Sequence, residues 1–451
     1  MISRASTSGE GGSQRVHDVR RIDLSSVQLA SSENARDINR DIVLEVIRFR
    51  QPVSRVELAR FSGLQPSTIS IIVDQLIREG WIREGAVVRR SRGRPATMLE
   101  VNDSLATLAL DIRPDRAILA VIDLTGRFLS RETVMTVSDP EVSLKRIVER
   151  MQVLRKRHAD KTFEGIGVSV PGRVHPETQR LLLAPNLHWS DFDLRSKLEK
   201  ALKLQVEMEN DANACLLSES WYGRLAGVRN AVLVAVSEGL GTAILAGGQL
   251  HSGYNGLAGE FGHIPVDATG PVCGCGQRGC WEMAASSRAA LHIYRELCPD
   301  AGPIDIYGLL RLAEENDPPA VEAVSRQARA LGRGLRLIVA ALSPELILIT
   351  GEITSSWQRF GPIVQKELEN SVLAGPAPRI ATAGDGELAR LQGAAALLLQ
   401  RHAGYHRSTH PPKADRRLPS SAVPGMPYRS EGLPRPAIAV EDETPLVIGT
   451  N

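Results

Sequence analysis

The sequence predicts an α/β protein in which a winged helix-turn-helix heads a two-lobed body. Three observations predict it. A short helix, a glycine turn, a second helix and an arginine-rich hairpin follow one another between Arg36 and Val101. From Thr107 onward, short apolar strands alternate with longer helical stretches, and strand hairpins open that pattern twice. Between Gly256 and Glu282, one His and three Cys crowd into a glycine-rich segment.

Composition sets the frame. The chain has 451 residues, 43% of them hydrophobic, enough for sizeable cores and two or three domains. Residues 1–35 are polar, with Gly and Ser and no sustained period, and read as a disordered arm. The opening MISRASTSGEGGSQR lacks the apolar core of a signal peptide. No apolar run reaches membrane-spanning length. Five Cys is an odd, sparse count that suits a reducing cytoplasm better than a disulfide framework. The expectation is a cytoplasmic chain with no membrane partner.

Residues 36–101 form the expected DNA-binding head. Ile38, Ile42, Val43, Val46 and Ile47 recur at helical spacing, and Pro52 closes that helix after about Arg50. Ser54 stands at an N-cap with Glu57 three residues on, the capping-box pattern. Gly63 supplies the turn, and Pro66 suits the first turn of a helix running to about Glu79. Ile69, Ile72, Val73, Leu76 and Ile77 line one face of it, while Ser67, Thr68 and Ser70 lie at its other face early on. Trp81-Ile82, Val87-Val88 and Thr97–Val101 read as strands of a wing whose tip is Arg89–Pro95. Between Arg36 and Arg94 there are twelve Arg, no Lys and seven carboxylates, a surplus of five positive charges. Helix, turn, helix and basic hairpin in order point to operator DNA, with Ser67, Thr68 and Ser70 reading bases and Arg92 and Arg94 contacting phosphates or a minor groove. The plainer alternative is a helical oligomerisation module with a solvated basic face.

Residues 102–403 form the body. Strands are expected at Thr107–Ile112, Ala117–Asp123, Gly165–Val170, Ala231–Ser237, Ala243–Ala246 and Leu346–Thr350. Helices are expected at Val142–His158, Asp193–Leu202, Asp211–Tyr222 and Ala320–Ala341. The hairpins Thr107–Asp123 and Ala231–Leu250 suggest two related lobes with a ligand cleft between them. Residues 404–451 are rich in Pro and Ser without an apolar face and read as a disordered tail.

His263, Cys273, Cys275 and Cys280, spaced H-x9-C-x-C-x4-C, have the look of a structural zinc site: three soft thiolates and one imidazole. Gly274, Gly276 and Gly279 let the backbone fold tightly enough for three sulfurs to converge. Glu260 and Glu282 bracket the cluster and are not needed as ligands, so the metal would hold a loop that presents carboxylates. The bland alternatives are buried free thiols or a disulfide.

Together, the winged helix, EMENDANA (Glu207–Ala214), GLAGEFGH (Gly256–His263) and CGCGQRGCWE (Cys273–Glu282) resemble the ROK family of sugar-responsive repressors and sugar kinases. The resemblance runs from about Arg36 to Arg401 and favours the repressor branch, because the kinases lack a DNA-binding domain. It implies an actin-like, ribonuclease H-like ATPase-type fold of two lobes that binds a sugar, in a homodimer or homotetramer. It implies that Asn210, Asp211, Glu260, His263 and Glu282 contact the sugar and that Pro171-Gly172 closes on it. Residue chemistry agrees, since fixed carboxylates and an Asn amide can take pairs of sugar hydroxyls. His263 could place one ring nitrogen on the metal and the other on a hydroxyl. Asn210-Asp211 is equally a helix cap, and the two roles are compatible.

In the kinases of the family the residue matching Asp211 is the general base. Phosphoryl transfer also needs phosphates held by backbone amides and a metal. The first phosphate loop of the family reads Asp-x-Gly-Gly-Thr; here it is Asp111-Ile112-Arg113-Pro114-Asp115, and Pro114 removes an amide donor while the bulky Arg113 replaces glycine. The second loop opens Gly-Thr-Gly; here Glu238 stands where a polyphosphate would approach. Gly351-Glu352 replaces a glycine pair near the adenosine pocket. The expectation is therefore a transcriptional regulator of carbohydrate genes, a repressor by the family's habit, controlled by a sugar or sugar phosphate and not an enzyme. The alternatives are an ATP-dependent sugar kinase and a regulator that answers to a protein partner.

Overall fold

The computed structural model describes residues 32–402, apart from 90–94, 185–186, 188, 191, 224, 226 and 370–376. The tail at 404–451 and wing residues Arg92 and Arg94 lie outside the described residues, as does the arm up to residue 31.

The head opens with α1 (Ser32–Arg50), which starts inside the stretch expected to be an arm. A two-residue strand, β1 (Val53–Ser54), leads into α2 (Arg55–Ser62). The capping box is complete: the Ser54 side chain accepts from Glu57 N, and Glu57 Oε2 accepts from Ser54 N at 2.9 Å. Gly63 ends α2 in the left-handed region at φ 71°, where other residues are strained. Helix α3 (Pro66–Arg78) carries Pro66 in its first turn. Strands β2 (Ile82–Val88) and β3 (Ala96–Val101) form the wing, in a sheet ordered β1-β3-β2. The two short wing segments expected at Trp81-Ile82 and Val87-Val88 are one strand, β2, from which Trp81 is left out. Ile69, Ile72, Val73 and Leu76 bury one face of α3 against Val43, Ile47, Leu58, Trp81 and Leu99.

The body begins with the meander β4 (Leu105–Ile112), β5 (Arg116–Asp123) and β6 (Phe128–Met135). Helix α4 (Pro140–Arg157) crosses to β7 (Thr162–Val170). The short strands β8 (Arg173–Val174), β9 (Leu181–Ala184) and β10 (Trp189–Ser190) make a separate flap sheet. Helix α5 (Leu194–Leu202) and strand β11 (Val206–Asn210) complete the first lobe, whose sheet runs β11-β7-β4-β5-β6. All eight residues of β4 are buried, as expected for a central strand covered on both faces.

Helix α6 (Asp211–Tyr222) leads to the second lobe: β12 (Ala231–Val236), β13 (Leu240–Ala246) and β14 (Gln249–Leu250), then α7 (Glu282–Ala285), α8 (Ser287–Leu297), α9 (Ile306–Glu314) and α10 (Pro318–Leu342). Strand β15 (Leu346–Gly351), α11 (Trp357–Glu369), β16 (Arg379–Thr382) and α12 (Gly386–His402) follow. This sheet runs β14-β13-β12-β15-β16, an antiparallel meander extended by two parallel strands, as in the first lobe. The second topology therefore repeats the first, which accounts for the two hairpin openings in the sequence. Helix α12 returns to pack on β4, β7 and α6, so it ties the lobes together at their junction.

The head is not tethered loosely. Leu105, Leu124 and Leu399 of the body share one buried cluster with Val43, Ile47 and Val101 of the head, and Trp221 and Tyr222 pack against it.

Candidate functional site

The first group of candidate residues sits where β11 becomes α6. Asn210 caps the helix, its Oδ1 accepting from Ala212 N at 2.9 Å and Asn213 N at 3.3 Å. Its Nδ2 donates to Gly172 O at 3.0 Å, which draws the flap loop to the helix start. A Cβ at Gly172 would lie 2.2 Å from Leu183 O, so that loop can approach only because it has no side chain. The helix-cap reading of Asn210 is met by this geometry.

Asp211 lies beside an ion network. Asp111, at the end of β4, is fully buried. It accepts from Ser169 Oγ at 2.9 Å, Arg113 Nε at 3.0 Å and Arg390 Nε at 2.9 Å. The Ser169 bond follows from strand register, since the two residues are paired across β4 and β7. Arg113 Nη1 stands 3.8 Å from Asp211 Oδ2. Burial pushes the Asp211 carboxyl up, with Arg113 opposing. Burial works against the charge on Arg113, but the flanking Asp111 and Asp211 outweigh it. Next to Asn210, burial also raises the Glu209 carboxyl, which accepts from Asn213 Nδ2 at 2.9 Å.

The second group is built on a 3-10 turn, Glu260–His263, and on the Cys-rich loop. His263 Nε2 faces Glu260 at 3.7 Å, and Nδ1 faces Glu282 at 3.5 Å and Cys273 Sγ at 3.5 Å. Cys275 Sγ and Cys280 Sγ are 3.6 Å apart, and one ligand atom from each of His263, Cys273, Cys275 and Cys280 lies within 4.8 Å of the others. Tetrahedral zinc with bonds of about 2.0–2.3 Å would need ligand atoms roughly 3.3–3.8 Å apart, close to these separations. Burial raises the Cys273 and Cys280 thiols, a cost that a coordinated cation reverses by stabilising thiolates. The donor set fits a metal. At Gly279 a Cβ would fall 1.5 Å from Asp267 O, so the loop can fold back only through glycine. Buried Trp281 anchors the loop, its Nε1 donating to Ala330 O at 2.9 Å.

The two groups meet across the β12–β13 hairpin. A Cβ at Gly241 would lie 3.2 Å from the Ala212 side chain, and one at Gly239 would lie 3.1 Å from Glu282 Oε2. Ala212, the residue after Asp211, thus lies against β13, and Glu282 lies against the turn that precedes it. Glu238 on the hairpin is exposed, and Glu352 accepts from Ser287 Oγ at 2.8 Å.

In the head, Ser67 is exposed and Thr68 half-buried at the start of α3. Ser70 is exposed, but its hydroxyl donates to Pro66 O at 3.0 Å. Sequence alone marks Arg113 only as a bulky loop residue. Arg390 carries no local signal, since it lies 279 residues from its partner Asp111.

Comparison with known proteins bears on this geometry. Residues 107–401 match the ROK family. A xylose repressor of Bacillus spizizenii is 28% identical over 350 residues, covering 77% of this chain and 90% of the repressor. The crystal structure of a ROK family transcriptional regulator, a homologue of the Escherichia coli MLC protein, superposes with a TM-score of 0.69 at 26% identity, covering 82% of this chain and 99% of the other. A ROK family glucokinase from Streptomyces griseus, in complex with glucose and AMPPNP, gives 0.59 at 29% identity, covering 65% and 99%.

Proposed function

The chain belongs to the ROK family, and from that premise we propose that it is a sugar-responsive, DNA-binding regulator of carbohydrate-metabolism genes that acts as a repressor. The observation that carries this reading is the extent of the likeness. The regulator structure covers 82% of the chain, whereas the glucokinase covers 65%, a share that the body alone would fill. The additional span accommodates the winged helix, which the body holds through a shared buried cluster.

In this reading Gly172, Asn210, Asp211, Glu260, His263 and Glu282 hold a sugar. His263, Cys273, Cys275 and Cys280 hold a structural Zn2+, the metal that an imidazole and three thiolates at these separations suit best. That metal fixes the His263 ring and braces the loop carrying Glu260 and Glu282. Ser67 and Thr68 face base edges, with Ser70 beside them, and Arg92 and Arg94 meet the backbone. Sugar binding favours one relative setting of the lobes, and two heads in a dimer or tetramer then engage operator DNA differently. The head is taken from the start of α1, at 32–101, and the body as drawn from sequence, at 102–403.

Kinase activity is not part of this proposal. The buried ion network of Asp111, Arg113 and Arg390 fills the end of β4 with side chains, and Asp211 pairs with an arginine. Asp211 then has a binding role only.

Fluorescence anisotropy with DNA from the chain's own promoter region tests the proposal. Specific binding that a sugar from a defined panel shifts by tenfold or more is expected. Equal affinity for promoter and unrelated DNA, or hexose phosphorylation with ATP at enzyme-like turnover, would overturn it.

A further inference from the structure

The outer face of α3 carries an apolar side chain that the core of the head does not use. Ser67, Ser70, Ile71, Asp74 and Arg78 follow one another at steps of one, three or four residues, which places them along one side of the helix. All five are exposed. The opposite side is buried through Ile69, Ile72, Val73 and Leu76. Ile71 is 58% exposed in the middle of that outer row. The exposed phenylalanines of the head are each covered by a guanidinium: Arg48 lies 5.8 Å from the Phe49 ring and Arg50 lies 4.3 Å from the Phe61 ring. An aliphatic side chain has no π face to offer a cation. Ile71 leaves water only against another apolar group.

The polar members of the row narrow what this face can meet. From Ser67 to Asp74 it holds no Lys or Arg, the side chains that take guanine O6 and N7 in pairs. Arg78 lies one turn further on, and its Nε donates to Asp74 O at 3.2 Å. The Ser70 hydroxyl donates to Pro66 O at 3.0 Å. Asp74 pairs with Arg55 at 3.1 Å, and the same guanidinium reaches Glu84 of β2 at 3.0 Å, which braces the row against the wing. Between Arg36 and Arg94 twelve Arg face seven carboxylates, a surplus that suits a polyanion and opposes a second identical head. In the major groove only thymine presents a methyl group. The other base edges present hydrogen-bonding atoms, which an isoleucine would leave unpaired.

We propose that Ile71 is a specificity-determining residue of the DNA-binding head, packing its branched side chain on the 5-methyl group of a thymine in the major groove. This inference rests on the DNA-binding reading above and deepens it at one base position.

Selection of duplexes from a random library by the full-length protein supplies the site to test. Each thymine of the selected duplex is then replaced in turn by deoxyuridine, which removes the methyl group and keeps the base pair. Binding is read by anisotropy at fixed salt. At one thymine per half-site the wild type is expected to lose about three- to fivefold in affinity, the effect of roughly one buried methyl group. Ile71→Ala is expected to lose that discrimination at that thymine alone and to keep the wild-type response at the others, while Ile71→Val retains most of it. An Ile71→Ala variant that tells thymine from uracil as the wild type does at every position overturns the proposal. So does a selected site in which the wild type feels no uracil substitution. Melting temperature and sedimentation of Ile71→Ala should match the wild type. A lower melting temperature or a smaller assembly would assign Ile71 to a contact between protein surfaces and overturn the proposal as well. Selection of no preferred sequence would instead remove the DNA-binding reading itself, and this inference with it.

Discussion

Arg48 of the head lies over Trp221 at the end of α6, its guanidinium carbon 4.4 Å from the indole centroid. It also stands 5.1 Å from the ring of Tyr222. The same side chain donates through Nη2 to Trp221 O at 3.2 Å. Helix α6 therefore touches the head at one end and carries Asn210 and Asp211 at the other. Twelve residues of continuous helix separate the two, stiff on the scale of the contacts involved.

That connection makes Arg48→Ala informative. A desolvated cation–π contact contributes about 2 kcal/mol, and an exposed one about 0.5–1 kcal/mol. The expected outcome is unchanged affinity for the sugar, a head removed several-fold faster by limited proteolysis, and a smaller effect of sugar on DNA affinity. Paired anisotropy titrations with and without the sugar read the last effect. A fully retained response would mean that the signal does not pass through this contact.

Close approach of α12 to α6 gives a second expectation. A Cβ at Gly393 would fall 1.7 Å from Ala214 O, against backbone that cannot rotate away. Gly393→Ala should therefore be strongly destabilising, by several kcal/mol or to the point of insolubility, as overpacking of this severity is. Gly302→Ala is the control, because a methyl group there would meet nothing within 4 Å. Its melting curve should match the wild type within about 0.5 kcal/mol.

Much of the head was legible because its signals are local. The capping box at Ser54 and Glu57, Gly63 at the turn and the apolar face of α3 each depend on residues a few positions apart. The Cys spacing was legible for the same reason. Strand β6 and helix α12 carried less pattern: β6 alternates only weakly with solvent, and α12 is wrapped by α6, β4 and β7, which blurs its amphipathic period. The ion network was out of reach for a different reason. Asp111 meets Ser169 through strand pairing and Arg390 through the return of α12, and neither contact leaves a trace in the neighbouring sequence.

Removing a ligand from the metal cluster gives a third expectation. Cys275 is exposed, while Cys273 and Cys280 are buried, so Cys275→Ser perturbs packing least. Serine is a poor substitute for thiolate at zinc, and the order of the groups around His263 depends on the metal. The variant is expected to lose nearly all of its zinc on purification and the sugar response with it. Stoichiometric zinc by elemental analysis would refute this ligand set.

Glu209 supplies a pH test whose sign follows from its surroundings. Burial raises its folded-state carboxyl above the unfolded value, despite hydrogen bonds from Asn213 Nδ2 and Asn210 N that favour the charged form. The protonated form is therefore the one the fold favours. Its contribution to stability is fully present below the unfolded pKa of about 4.3 and is lost as pH rises through the higher folded value. Glu209→Gln keeps an acceptor for both neighbours and removes the ionisation. The melting temperature of the variant should match the wild type near pH 4 and exceed it increasingly between about pH 5 and 8. A difference that stays flat with pH, or that grows toward acid, would mean that Glu209 is held as a carboxylate and that its hydrogen bonds outweigh its burial.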